Sequence, residues 1–131
     1  MIKREIPDEI FEPIIERFIE VGLIDDLAFA QTLVSTRRAI KKVSRSAIRR
    51  ELATKGVDNE IIEQVLAPLD AEAELLLATE LASKKLRTMG GLPAETIRRR
   101  MVGFLGRKGF ASQVVFAAIK AAEAEAVKLD S

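Results

Sequence analysis

The chain has 131 residues, 48% of them hydrophobic and 31% charged, with a formal net charge of +1. That is about one domain's worth of sequence with an ordinary soluble surface, which excludes a disordered or collagenous chain. Charged residues interrupt every apolar stretch before the roughly 18 residues needed to cross a bilayer, and the lack of any cysteine or histidine excludes disulfides, thiol or imidazole catalysis and the usual zinc or iron sites.

The opening Met1-Ile2-Lys3-Arg4-Glu5 leads into no signal-peptide core, so a cytoplasmic location is expected. Ile6, Ile10, Phe11, Ile14 and Ile15 then follow helical spacing. From Asp26, the residues Phe29, Ala30, Leu33, Val34 and Ile40 recur at intervals that place them on one stripe of a helix, capped by Asp25 or Asp26. Ser44 or Ser46 opens a short helix with Ile48 and Leu52 inward, and Lys55-Gly56 closes it. A third helix spans residues 58–66, with Ile61, Ile62, Val65 and Leu66 apolar, and Pro68 ends it.

Further along, Gly90-Gly91-Leu92-Pro93 lacks the spacing and the terminal Lys-Ser/Thr of a phosphate-binding loop. With no other catalytic constellation in view, neither enzymatic activity nor a cofactor is expected. Gly103 and Gly106 fall inside the helix that carries Arg99, Arg100 and Arg107, where each costs about 1 kcal/mol relative to alanine. Close packing against another helix is the expected reason for both.

The three-helix pattern occurs twice. Lys55-Gly56-Val57 followed by Ile61, Ile62, Val65 and Leu66 lines up with Lys108-Gly109-Phe110 followed by Val114, Val115, Ala118 and Ile119. Upstream, Phe29, Ala30, Leu33 and Arg37 match Leu77, Ala78, Leu81 and Lys85, while Ile48 and Leu52 match Met101 and Leu105. A repeat of about 50 residues is in the range of stacked helical arrays, whose units complete each other's cores. The expected fold is therefore all-α, with tandem three-helix repeats forming a curved, elongated array. Its parts are a partial first repeat over 1–24, holding the closing helix alone, a second repeat over 25–68 and a third over 69–131.

The small net charge conceals strong blocks. Residues 37–55 carry Arg37, Arg38, Lys41, Lys42, Arg45, Arg49, Arg50 and Lys55 against the single acid Glu51. Residues 84–108 repeat this with Lys84, Lys85, Arg87, Arg98, Arg99, Arg100, Arg107 and Lys108 against Glu95 alone, and the intervening 56–83 holds acids with no base. Two matched blocks point to a binding surface for an anionic partner. Arg37 and Lys41 are four apart, as are Arg38 and Lys42, so each pair is expected along one side of a helix, and Arg45 and Arg49 share a face of the next.

Several of these stretches, in this order, resemble the RecX regulatory proteins of bacteria: Gly22-Leu23-Ile24-Asp25-Asp26, Phe29-Ala30, the basic stretch, Ile48-Arg49-Arg50-Glu51-Leu52 and Lys55-Gly56-Val57. Arg98-Arg99-Arg100, Phe104-Leu105 and Arg107-Lys108-Gly109-Phe110 resemble that family's last repeat. The resemblance covers nearly the whole chain. It implies tandem three-helix repeats that bind the recombinase RecA and restrain its filament on single-stranded DNA, within homologous recombination, DNA repair and the SOS response. A typical member has more helix before the segment matching residues 6–15, so this chain resembles a version shortened at its N-terminus.

On this reading Arg37, Arg38, Lys41, Lys42, Arg45, Arg49, Arg50, Arg98, Arg99, Arg100, Arg107 and Lys108 are the residues expected to meet the RecA filament or its DNA. Clustered arginine suits both phosphate and acidic protein surface through forked hydrogen bonds. Base stacking is not expected, because the chain has no Trp or Tyr and Phe104 and Phe110 occupy core-periodic positions. The alternative is a stand-alone helical nucleic-acid-binding protein in which helix 46–55 enters a major groove.

Overall fold

The structure, a computed structural model, describes residues 25–130. The partial repeat expected over 1–24 lies outside the described residues. Every regular element among the described residues is helical, as the sequence pattern requires. None of these helices is long and apolar enough to cross a membrane.

Helix α1 (Asp26–Thr36) begins where Asp25, in extended backbone, accepts a hydrogen bond from the Leu27 N–H at 3.0 Å. Asp25 is thus the cap, and Asp26 places its charge in the first turn, where it suits the helix dipole. Phe29, Ala30, Leu33 and Val34 are buried as their spacing predicts. Ile40 departs from the expected stripe and is 42% exposed. The cause is a π-helical turn over Arg37–Lys41, closed by the Lys42 N–H donating to the Arg37 carbonyl at 2.7 Å. A bond reaching back five residues puts an extra residue into the turn and rotates Ile40 away from the core. Lys42 ends the turn in the left-handed region, with φ at 54°.

Helix α2 (Arg45–Thr54) is capped by Ser44, whose buried hydroxyl accepts from the Ala47 N–H at 3.1 Å. It ends on two reverse bonds, Val57 N–H to Leu52 carbonyl and Gly56 N–H to Ala53 carbonyl, with Gly56 at φ +84°. That pair of bonds requires a left-handed residue just past the helix, which glycine takes without steric cost. Helix α3 (Asn59–Leu66) follows, burying Ile62, Val65 and Leu66. Asp70 then caps helix α4 (Ala71–Arg87), accepting from the Ala73 N–H at 2.9 Å.

Helix α5 (Ala94–Arg107) ends as α2 does. Phe110 N–H bonds to the Leu105 carbonyl and Gly109 N–H to the Gly106 carbonyl, with Gly109 at φ +95°. Helix α6 (Ser112–Asp130) completes the described residues. The sequence repeat therefore has a physical counterpart at its most diagnostic point, two identical helix ends.

The contacts divide the chain into two units. In the first, the described residues through 42 together with Ile48–Leu66, α1 packs on α3 and the buried apolar side chains include Phe29, Leu33, Ile48, Leu52 and Ile62. In the second, Val43–Ala47 with residues 67–130, α4 packs chiefly against α6 and α5 lies against both, around Leu81, Met101, Leu105, Phe110, Val115 and Ile119. The first turn of α2 belongs to this second unit. There Ser44 N–H donates to the Lys108 carbonyl at 2.9 Å, and Arg45 N–H donates to both oxygens of the buried Glu74 carboxylate at 3.2 Å.

The close packing expected at Gly103 and Gly106 is not found. A Cβ at Gly106 would meet nothing within 4 Å, and one at Gly103 would meet only the Arg107 guanidinium at 3.2 Å. The close approach is instead at Gly109, where a Cβ would lie 2.6 Å from Ser44 Oγ and 3.0 Å from Ala47 Cβ.

Candidate functional site

The first basic block is largely committed to its own fold. Arg37, expected beside Lys41 on an open face, is 3% exposed and lies inside the first unit. Its Nε donates to Glu51 Oε1 at 2.7 Å and its Nη2 to Oε2 at 2.5 Å, a forked pair that joins the π-helical turn to α2. Arg37 follows Leu33 by four residues, so the helix carries it inward, and only a carboxylate partner makes that tolerable. Arg37 is therefore removed from the candidate contact surface. Arg45, in the second unit, donates to the Leu69 carbonyl at 2.8 Å. Arg49 pairs with Glu63, and Lys42 Nζ donates to the Ala39 carbonyl at 3.2 Å. Arg38 and Lys41 are half-buried and Arg50 is exposed.

The second block is arranged differently. Arg98 pairs with Glu123 at 2.9 Å, an exposed pair of little energetic weight. Arg99, Arg100 and Arg107 are exposed on α5, and the bare backbone at Gly103 leaves room for the Arg107 guanidinium to lie against it. One turn on, the Phe104 ring is half-buried against the core of the second unit, as its periodicity predicts. Two cations gather at this ring: Lys85 Nζ is 5.2 Å and Lys108 Nζ 5.9 Å from its centroid. Each such contact contributes about 0.5–1 kcal/mol at a partly exposed site.

Sequence reasoning placed Lys108 in the site but left out Lys85 and Phe104. The signal that finds them is the repeat itself. Lys85 matches Arg37, and because Met101 and Leu105 match Ile48 and Leu52, Phe104 falls at the position of Glu51. The same joint is an ion pair in the first unit and a cation–ring contact in the second.

The described residues define an all-helical protein whose α5 carries exposed arginines. Two family models match the chain: the second three-helix domain of RecX over residues 25–66 and the third three-helix domain of RecX over residues 72–119. The chain is 44% identical over 127 residues to the regulatory protein RecX of Mycobacterium avium, covering 92% of this chain and 73% of that one. It is 42% identical over 120 residues to the regulatory protein RecX of Streptomyces coelicolor, and there it spans 92% of itself but only 64% of the relative's length. A crystal structure of RecX from Lactobacillus salivarius shares the fold, with a TM-score of 0.66 at 22% identity over 86% of this chain and 73% of that one. A second crystal structure of a regulatory protein RecX gives a TM-score of 0.62 at 31% identity, covering 88% and 57%. The chain belongs to the RecX family.

Proposed function

We propose that this chain regulates the recombinase RecA by binding its filament on single-stranded DNA and restraining its activity, in the cytoplasm and in the service of DNA repair, homologous recombination and the SOS response. The observation that carries the reading is the exposed arginine surface of α5, where Arg99, Arg100 and Arg107 stand on one helix together with Lys108 at its end. A nucleoprotein filament presents phosphate and carboxylate together, and guanidinium groups bind both in forked geometry. In the first unit Arg38, Lys41, Lys42 and Arg50 are the remaining candidate contacts. Arg45, Arg49 and Arg98 hold partners within the chain, as do Arg38, Lys41 and Lys42, and Arg50 is the exposed candidate of the first block. The chain acts by binding and performs no chemistry of its own.

The test is inhibition of RecA ATP hydrolysis on single-stranded DNA. Hydrogen bonds to charged groups contribute about 1.5–3 kcal/mol each, so the combined change of Arg99, Arg100 and Arg107 to glutamine should raise the concentration for half-inhibition at least about tenfold. Folding should be unaffected, since exposed substitutions change stability by about 0.5 kcal/mol or less each. Inhibition equal to wild type by a variant with an unchanged circular dichroism spectrum would show that these arginines are only a solvated face.

A further inference from the structure

Two helices of the second unit turn apolar faces of opposite charge to solvent. On α4, Leu75 and Leu76 are 37% and 63% exposed beside an open groove of about 500 Å³ that Ala73 and Thr79 also line. Leu76 stands between Glu72 and Glu80, four residues away on either side and therefore in one row along the helix. On α6, Phe116 and Val127 are 58% and 67% exposed, and Phe116, Lys120, Ala124 and Lys128 form a row of the same kind. Glu72, Glu80, Lys120 and Lys128 are all exposed, and none of the four is in an ion pair among the described residues.

We infer that the α4 face of one molecule docks on the α6 face of a second copy of this chain. Spacing carries the assignment. Glu72 and Glu80 are eight residues apart, as are Lys120 and Lys128, and at 1.5 Å per residue each pair spans about 12 Å. Two helices laid side by side therefore form both ion pairs at once. Leu76, midway between the acids, then meets Ala124, midway between the lysines, where a small side chain leaves room for a large one. The leucine supplies the burial, while ion pairs at an exposed rim add little energy and fix register and partner. Nucleic acid is disfavoured on α4 because its phosphates would meet carboxylates. A second copy is favoured over another protein because the matching face, with the matching spacing, is carried by this chain itself. On the proposed filament-binding reading such a contact lets bound molecules support one another, and the contact itself stands apart from that reading.

Sedimentation velocity of the full chain, without recombinase or DNA, reads the contact. A single helix face buries less than the roughly 800 Å² per partner of a standard stable interface, so association is expected at about 100 µM and above. Glu72→Lys with Glu80→Lys should stay monomeric at concentrations about tenfold higher, because like charges then face each other along both rows. Lys120→Glu with Lys128→Glu should do the same. An equimolar mixture of these two variants should associate as wild type does, since each presents to the other the charges that its own kind lacks. Leu76→Ala, which keeps both ion pairs, should weaken association about tenfold. The glutamine variant of Arg99, Arg100 and Arg107, whose net charge is three lower, should associate as wild type does, which separates the paired faces from net charge. Circular dichroism checks the folding of each variant.

Wild type that remains a monomer at about 500 µM, or charge-swapped variants that associate as wild type does, overturns the contact. So does a mixture of the two variants that stays monomeric. A Leu76→Ala chain that self-associates unchanged but no longer pellets with RecA filaments gives the α4 face to the recombinase and overturns the assignment to a second copy. RecA inhibition is read in a separate assay. Monomeric wild type that still inhibits RecA defeats this inference alone, whereas failure of the α5 arginines to affect inhibition leaves the sedimentation result standing.

Discussion

Gly109→Ala should lower the stability of the protein by about 3 kcal/mol, more than alanine at any other glycine among the described residues. Two costs combine there. The backbone is left-handed, at φ +95°, which costs a side-chain-bearing residue about 1–2 kcal/mol. The new Cβ would also lie 2.6 Å from Ser44 Oγ and 3.0 Å from Ala47 Cβ, and overpacking of this kind costs about 1–3 kcal/mol. Ser44 has little freedom to retreat, because it is fully buried, caps α2 and donates its N–H to the Lys108 carbonyl. Gly56 separates the two effects: it has φ +84° and open space, so Gly56→Ala should cost only about 1 kcal/mol. Gly106→Ala, in a helix and with nothing within 4 Å, should stabilise by about 1 kcal/mol. Urea denaturation of the three variants orders them, and a Gly109→Ala cost no larger than that of Gly56→Ala would contradict the close approach.

Glu51→Ala should cost about 3 kcal/mol, the low end for breaking a buried pair, because the guanidinium of Arg37 would stay at 4% side-chain exposure without its two acceptors. The low end applies because the Glu51 side chain is 28% exposed and water can enter from that side. Arg37→Met should cost about 1 kcal/mol, since it removes the buried charge and leaves a carboxylate that water can solvate. Arg49→Met, which breaks the exposed pair with Glu63, should change stability by less than about 0.5 kcal/mol. Denaturation midpoints decide this, and equal costs for Glu51→Ala and Arg49→Met would show that Arg37 is not buried as described.

The helices, their caps and the repeat were legible in the sequence because each rests on local chemistry. Spacing of apolar residues placed Phe29, Leu33, Ile48, Leu52, Met101 and Leu105 in the cores, and Lys-Gly-apolar marked the two helix ends that glycine closes. Ile40 departs from its expected place because nothing in the residue types of 37–41 announces the wider turn that sends it out. Arg37, four residues after Leu33, keeps the regular period and turns inward, and only its charge suggested an open face. The roles of Gly103 and Gly106 were misread because spacing along a helix does not say which face is covered, and the crowded glycine, Gly109, looked in sequence like a copy of the uncrowded Gly56.

The candidate site was legible as charge and not as geometry. Counting bases found both blocks, but partner carboxylates decide which charges are spent inside the fold, and Glu51, Glu63 and Glu123 lie 14, 14 and 25 residues from the arginines they bind. Such pairs form only when helices pack. Phe104 was read correctly as core-facing, and its second role, gathering Lys85 and Lys108, depends on a partner from α4 that its own helix does not reveal.

The most direct test of the central claim is co-sedimentation of the chain with RecA filaments assembled on single-stranded DNA, alongside the same DNA without RecA and RecA without DNA. A regulator that recognises the nucleoprotein filament should pellet with the complete filament at concentrations at which it binds the bare strand weakly, and the Arg99, Arg100 and Arg107 variant should be left in solution. Binding to bare DNA as tight as to the filament, unaffected by RecA, would contradict that account and identify a nucleic-acid-binding protein that acts alone.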